Sequence, residues 1–335
     1  MRSRARHPTG VVFAAPTATS CPGVYRPAPM TDTATPTVPE GLSLERTDLG
    51  DLDVAWLTDP AAEADAPLAL LLHGFPDAAP SWRHLIPDLT AAGFRPVAPW
   101  LRGYAPTSVP DDGLYQVGAL ARDVSRLHDA LGGDERAVIV GHDWGAMATY
   151  AAVGWQPERW RRAVTMAVPP AGAMFGGFAS YDQLRRSWYM FFFQSPLAEG
   201  AVAADDLAFI DRLWADWSPG HDPSDDIGAV KEALRDPANL AAAIGYYRAT
   251  LGAGKTDPSL DEPQAGWTTP TPIPTLYLHG ATDGCLGVDL VTGAEAHLPA
   301  PGSRLEIVEG AGHFLQVEKP QVVNPIVTSF LTQEA

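Results

Sequence analysis

Ala137-Val138-Ile139-Val140-Gly141-His142-Asp143-Trp144-Gly145-Ala146-Met147-Ala148 is the stretch on which the reading of this chain turns. Its first four residues are apolar without alternation, as in a strand covered on both faces. The Ala- and Met-rich run from Ala146 to Val153 has helical character. Between them, glycines stand two residues before and two after Asp143. Such spacing suits a turn so sharp that side chains at the flanking positions would collide and the central residue is forced into strained backbone. Strand, strained turn and helix together form a nucleophile elbow. The residue at its tip is Asp143. Two plainer roles are open to it. It could cap the helix, or it could join His142 as a metal ligand, although no further His/Asp cluster at ligand spacing accompanies the pair.

Working outward, short apolar or β-branched runs alternate with longer helical patterns, which predicts a mostly parallel sheet built from βαβ units. Strands are expected at Leu68 to Leu72, Pro96 to Pro99, Ala137 to Val140, Ala163 to Val168, Thr275 to Leu278 and Leu305 to Val308. Leu52 to Leu57 alternates apolar with polar residues and reads as an earlier antiparallel strand with one exposed face. His73-Gly74-Phe75-Pro76 follows the first parallel strand. Its glycine allows backbone N–H groups to approach a ligand, and the amides of Phe75 and Trp144 are candidates to face one developing oxyanion. His279-Gly280-Ala281-Thr282-Asp283 and Gly310-Ala311-Gly312-His313-Phe314 follow the last two strands, at the sheet edge where open α/β folds place their sites. Asp283 is otherwise a turn residue and His313 a solvated loop histidine. With Asp143 they run in the order nucleophile, acid, histidine.

These motifs, with Glu318 and Pro320, resemble the epoxide hydrolase branch of the α/β-hydrolases over about residues 42 to 331. The resemblance implies an α/β-hydrolase fold with a mostly parallel eight-stranded sheet and a helical cap inserted after the sixth strand. Core segments are expected at 41–168 and 271–335 and the cap at 169–270, where prolines bracket an aromatic, Ala-rich insertion. It also implies two cap tyrosines that serve the leaving oxygen. Tyr189, five residues before Gln194, matches the first, and Tyr247, directly before Arg248, matches the second; Tyr181 is a weaker match. One departure is Ala105 after Arg102-Gly103-Tyr104, where the family usually has glycine. No acidic residue ends the strand Ala163 to Val168, where some haloalkane dehalogenases carry the triad acid, which favours Asp283 with Asp289 as fallback.

The chemistry of a carboxylate nucleophile narrows the reaction independently. Attack on an ester or amide would make an anhydride, whereas attack on saturated carbon makes a stable alkyl ester. Asp143 therefore points to displacement at carbon, followed by ester hydrolysis with His313, oriented by Asp283, as general base on water. An epoxide oxygen leaves as an alkoxide and needs a phenol or similar donor; a halide needs only N–H donors such as Trp144. Epoxide hydrolysis leads, a haloalkane dehalogenase is the enzymatic alternative, and a non-catalytic ligand-binding hydrolase fold is the third. A serine esterase is disfavoured, since the nearest upstream serine, Ser125, lies in a helical stretch. Aromatic cap residues predict an apolar pocket. Substrate contacts are expected from His73, Pro76, Trp144 and Trp188.

Composition excludes other classes. The chain of 335 residues is 46% hydrophobic and 19% charged, in the globular range. Its net charge of -17 would repel nucleic acid and anionic membranes. Two cysteines, Cys21 and Cys285, form neither a disulfide framework nor a zinc site, and no apolar run approaches 18 residues. The reading is a soluble, cytoplasmic enzyme without metal or organic cofactor, whose partners are an apolar epoxide and water. Residues 1–40, arginine-bearing and then rich in Pro, Thr and Ala, read as a disordered tail rather than a signal peptide, with Met30 a possible start.

Overall fold

The computed structural model describes residues 36–333. Eight strands form one sheet: β1 Ser43–Asp48, β2 Asp53–Thr58, β3 Leu68–Leu72, β4 Arg95–Pro99, β5 Val138–His142, β6 Arg162–Met166, β7 Thr275–Gly280 and β8 Arg304–Val308. Their spatial order is β1-β2-β4-β3-β5-β6-β7-β8. β1 and β2 pair antiparallel, as do β2 and β4, and all remaining pairs are parallel. Every residue of β3 and β5 is buried, which explains their unbroken apolar runs. β2 is antiparallel, as its sequence predicts, but no face is exposed: Val54, Ala55 and Leu57 are buried and the rest are partly buried. β1 was not foreseen. Its sequence, Ser-Leu-Glu-Arg-Thr-Asp, lies at the sheet edge with little buried surface and so carries almost no apolar signal.

This order places the site. The chain leaves β3 for β4 on one side and returns to β5 on the other, so the direction of winding reverses between β3 and β5. Such a reversal opens a crevice at the carboxyl ends of the two strands. Those ends carry His73-Gly74-Phe75 and Asp143.

The insertion between β6 and β7 holds helices Ala171–Gly177, Tyr181–Arg186, Trp188–Phe192, Ala198–Trp217, Ile227–Leu234 and Pro237–Leu251. Its final helix, Asp261–Gly266, returns to the layer beside the sheet, where Gln264 Oε1 accepts a 2.7 Å hydrogen bond from the Gly118 amide. Side chains of the cap grip the core loops. Trp214 Nε1 donates to the Pro76 carbonyl at 2.8 Å, Tyr246 Oη to Arg102 O at 2.7 Å and Asn239 Nδ2 to Gly103 O at 2.8 Å. The Trp214 ring stacks on Phe314 with centroids 3.7 Å apart. A stacked aromatic pair adds about 0.5–1.5 kcal/mol beyond its buried area.

The expected tail lies outside the described residues up to residue 35. Residues 36–40 lie against the fold: Val38 packs on the core, and the Thr37 amide and hydroxyl both donate to Glu232 Oε2, at 3.2 and 3.1 Å. No helix among the described residues is long and apolar enough to cross a membrane.

Candidate active site

Asp143 ends β5 and opens helix Trp144–Trp155 with φ 52° and ψ -117°, a conformation rare for any residue but glycine. The close packing of the elbow demands its glycines. A Cβ on Gly145 would stand 2.0 Å from the Leu72 carbonyl oxygen, and one on Gly74 would stand 2.4 Å from Asp143 Oδ1. The Asp143 side chain does not cap the helix. Instead Oδ1 accepts a 2.8 Å hydrogen bond from the Phe75 amide, and Oδ2 faces His313 Nε2 at 3.7 Å. No group of metal-ligating side chains forms a site among the described residues.

His313 Nδ1 and Asp283 Oδ2 are 2.9 Å apart. The other oxygen of Asp283 accepts the amides of Cys285 and Leu286 at 2.7 and 2.9 Å. Both carboxylates and the imidazole are buried. Burial disfavours the imidazolium, but the charge of Asp283 and the proximity of Asp143 outweigh it and push the His313 pKa up to about 10. Burial likewise works against Asp143 and Asp283, yet His313 brings both below 3.8; the Phe75 amide helps at Asp143 and the Leu286 amide at Asp283. The arrangement of two carboxylates on either side of the buried His313 ring favours its protonated form.

Tyr189 and Tyr247 are buried beside this triad. The Tyr247 ring lies 5.1 Å from that of Trp144, 5.3 Å from that of Phe75 and 5.5 Å from that of Tyr189. It is therefore bracketed by the two residues that adjoin or bind the Asp143 carboxylate. Burial is the main force raising both phenols well above 10, and the negative charge of Asp143 adds to it. Both stay protonated. Tyr189 Oη lies 3.4 Å from Cys285 Sγ, while the buried Tyr247 hydroxyl faces the side chains of Trp144 and Tyr189, which partly offset the effect of burial.

Comparison with known proteins bears on the same constellation. The family model for the alpha/beta hydrolase fold matches residues 67–320. AB hydrolase superfamily protein YfhM of Bacillus subtilis is 29% identical over 279 residues, covering 82% of this chain and 93% of its own. Epoxide hydrolase A of Mycobacterium tuberculosis is 30% identical over 310 residues, covering 81% of this chain and 92% of its own. The chain belongs to the epoxide hydrolase family of α/β-hydrolases. The crystal structure of Epoxide Hydrolase A from Mycobacterium thermoresistibile superposes with a TM-score of 0.72 at 25% identity, over 87% of this chain and 98% of that one.

In this epoxide hydrolase family member, Asp143, Asp283, His313, Tyr189, Tyr247, Phe75 and Trp144 converge on one buried locus. Three of the four expected substrate contacts are placed otherwise. His73 is saturated by backbone: the Leu101 amide donates to Nε2 at 3.0 Å, and Nδ1 is 2.9 Å from the Gly74 carbonyl, so the ring ties two loops together and offers the pocket no free group. Trp188 is half-exposed on the cap, packed on Phe192 and Phe209. It lines an open cavity of about 570 Å³ whose wall includes Trp217. Pro76 contributes its carbonyl to Trp214 rather than an open surface. Asp289, the fallback acid, lines that same outer cavity, and Asp283 holds the histidine.

Sequence reading missed a second buried pair. His142 Nδ1 lies 3.3 Å from Asp77 Oδ2, and its Nε2 is 2.9 Å from the His313 carbonyl. Asp77 also accepts the Ala78 amide and the Ser81 hydroxyl, at 2.7 and 3.1 Å. The signal was present, as an acid directly after the His-Gly-Phe-Pro turn and a histidine directly before the nucleophile, but only the tertiary contact joins them.

The raised pKa of His313 makes a stability prediction. Because the folded value of about 10 exceeds the ordinary 6.5, the native state holds the proton more tightly. The stabilisation is complete below pH 6.5 and is lost as pH rises through 10. Urea midpoints of wild type should therefore fall towards those of His313→Gln between pH 6.5 and 10; parallel profiles across that window would contradict the assignment.

Proposed function

We propose that this protein converts an apolar epoxide to a vicinal diol through an alkyl ester on Asp143. The observation that carries the reading is the pair of buried phenols, Tyr189 and Tyr247, beside the Asp143 carboxylate, with burial as the main force that favours their protonated form. A halide leaves as a stable anion and has no need of a proton, whereas an oxirane oxygen does.

Asp143 Oδ1 is engaged by the Phe75 amide, so Oδ2 is the attacking oxygen. It bonds to an oxirane carbon, the C–O bond of the ring breaks, and its electron pair stays on the ring oxygen, which takes a proton from Tyr247 or Tyr189. Esterification removes the negative charge of Asp143. Of the two carboxylates that held the imidazolium, only Asp283 remains, and the proton affinity of His313 falls. The imidazolium gives up its proton to restore the phenol. Neutral His313 then takes a proton from water as the water attacks the ester carbonyl carbon, and the oxyanion forms where the Phe75 amide already points. Collapse breaks the ester C–O bond, and the departing diol oxygen takes the proton from His313. The carboxylic acid left at Asp143 then gives its proton to His313, which restores the carboxylate and the imidazolium.

The test is parallel incubation of the purified protein with styrene oxide and 1-bromobutane. Diol without bromide is expected. Tyr189→Phe and Tyr247→Phe should each lower diol formation by about tenfold or more, and the double variant by about 10³-fold, the range of a lost proton donor. Bromide release unaffected by either substitution, with no diol, would select the dehalogenase.

A further inference from the structure

Each of three consecutive amides in the loop that carries the base has a defined acceptor. Gly312 N donates to Glu318 Oε2 at 2.7 Å, His313 N to the Trp217 carbonyl at 3.1 Å and Phe314 N to Ser218 Oγ at 3.2 Å. Ser218 in turn donates its hydroxyl hydrogen to Glu318 Oε1 at 2.6 Å. Trp217 ends the cap helix Ala198–Trp217 and Ser218 is its C-cap, so two of the three amides are held by the cap. The Trp217 carbonyl also accepts the Gly284 amide at 3.0 Å, from the residue after the acid Asp283.

The fit leaves no slack. A Cβ on Gly284 would stand 1.9 Å from the Asp216 carbonyl oxygen, and one on Gly312 would stand 2.6 Å from Ser218 Cα. Ser218 is buried. The nucleophile has a different support: its Oδ1 is bound by the Phe75 amide, and its backbone amide donates to Met166 O at 3.2 Å, both in the core. The hydrogen bonds of Ser218 reach neither Asp143 nor either tyrosine.

We propose that Ser218 and Glu318 form a positioning pair that aims His313 Nε2 at the water attacking the Asp143 ester, so that this contact between the cap and the base loop sets the hydrolysis half of the reaction, whereas ring opening depends on the core-held Asp143 and on the tyrosines. This rests on the epoxide reading. The base and the nucleophile draw on different scaffolds. Displacing the His313 loop by a fraction of an ångström misdirects the base and leaves the approach of Oδ2 to the oxirane as it was, and misplacement near 1 Å costs on the order of 10²-fold.

The experiment is acid-quenched single turnover of styrene oxide with Ser218→Ala, Glu318→Gln and Ser218→Thr, following the mass increment on the Asp143 peptide. Ser218→Ala and Glu318→Gln should alkylate within about twofold of wild type and hydrolyse the ester about tenfold to 10²-fold more slowly. In the steady state kcat and KM then fall together and kcat/KM holds, because kcat/KM ends at alkylation. Ser218→Thr keeps the hydroxyl but adds a methyl group to a tight site, and should hydrolyse the ester faster than Ser218→Ala though below wild type. If Ser218→Ala does not fold, Glu318→Gln, which preserves shape, gives the same reading. Loss of kcat/KM in step with kcat, or unchanged hydrolysis in both variants, would overturn the proposal. Absence of any adduct on wild type and on His313→Gln would instead overturn the epoxide reading, and the positioning role with it.

Discussion

Alanine at Asp143 is expected to lower diol formation by about 10⁴-fold or more, the scale on which removal of a triad nucleophile acts. The size follows from the site's single nucleophile. Without the Asp143 carboxylate no covalent ester can form, and a water molecule would have to open the ring directly. Removing Asp143 lowers the proton affinity of His313 and leaves the Asp283 contact intact, so the fold should survive. The alanine inherits φ 52°, a conformation that costs an L-residue about 1–2 kcal/mol. Near-ultraviolet circular dichroism with product chromatography checks both parts. Turnover of an epoxide within tenfold of wild type by a folded Asp143→Ala protein would remove Asp143 from the mechanism.

Glutamine at His313 should have the second largest effect and a different signature. Ring opening needs the carboxylate and the phenols, all of which remain, so one equivalent of substrate should still be consumed. Ester hydrolysis loses its general base, worth about 10²–10⁴-fold. The variant should therefore accumulate the alkyl-enzyme, seen as an intact-mass increment equal to the epoxide and confined to the peptide that holds Asp143. Multiple turnovers at the wild-type rate would assign the base elsewhere. The same variant removes the titration between pH 6.5 and 10 from the stability profile, which links the kinetic role of His313 to its electrostatic one.

Much of this was legible in the chain because the relevant signals are local. An apolar run that breaks at Gly141-His142-Asp143-Trp144-Gly145 specifies a strand, a strained turn and a helix within a dozen residues. β3, β6 and β7 are central strands and announce themselves by unbroken burial. β1 escaped notice because an edge strand has little to bury. His73 and Trp188 were expected at the substrate; in the fold, hydrogen bonds to backbone occupy the first, and the second is half-exposed on the cap, where it lines an open cavity.

By itself the sequence determined the strand, turn and helix around Asp143, the chain order Asp143, Asp283, His313 and the alternating α/β plan, since each depends on neighbours along the chain; the two tyrosine segments were picked out by resemblance to the family. Tertiary structure decided what those residues can do. Winding that reverses between β3 and β5 brings the Phe75 amide to Asp143, across 68 positions of sequence. Two carboxylates from different loops charge the histidine, and burial under the cap keeps the phenols protonated. The anchoring of the His313 loop on Trp217 and Ser218, and the Asp77–His142 contact beneath it, belong to the same class. Such contacts join residues far apart in sequence through distances of about 3 Å, and their strength comes from the low dielectric of a dry interior that exists only once the chain has folded.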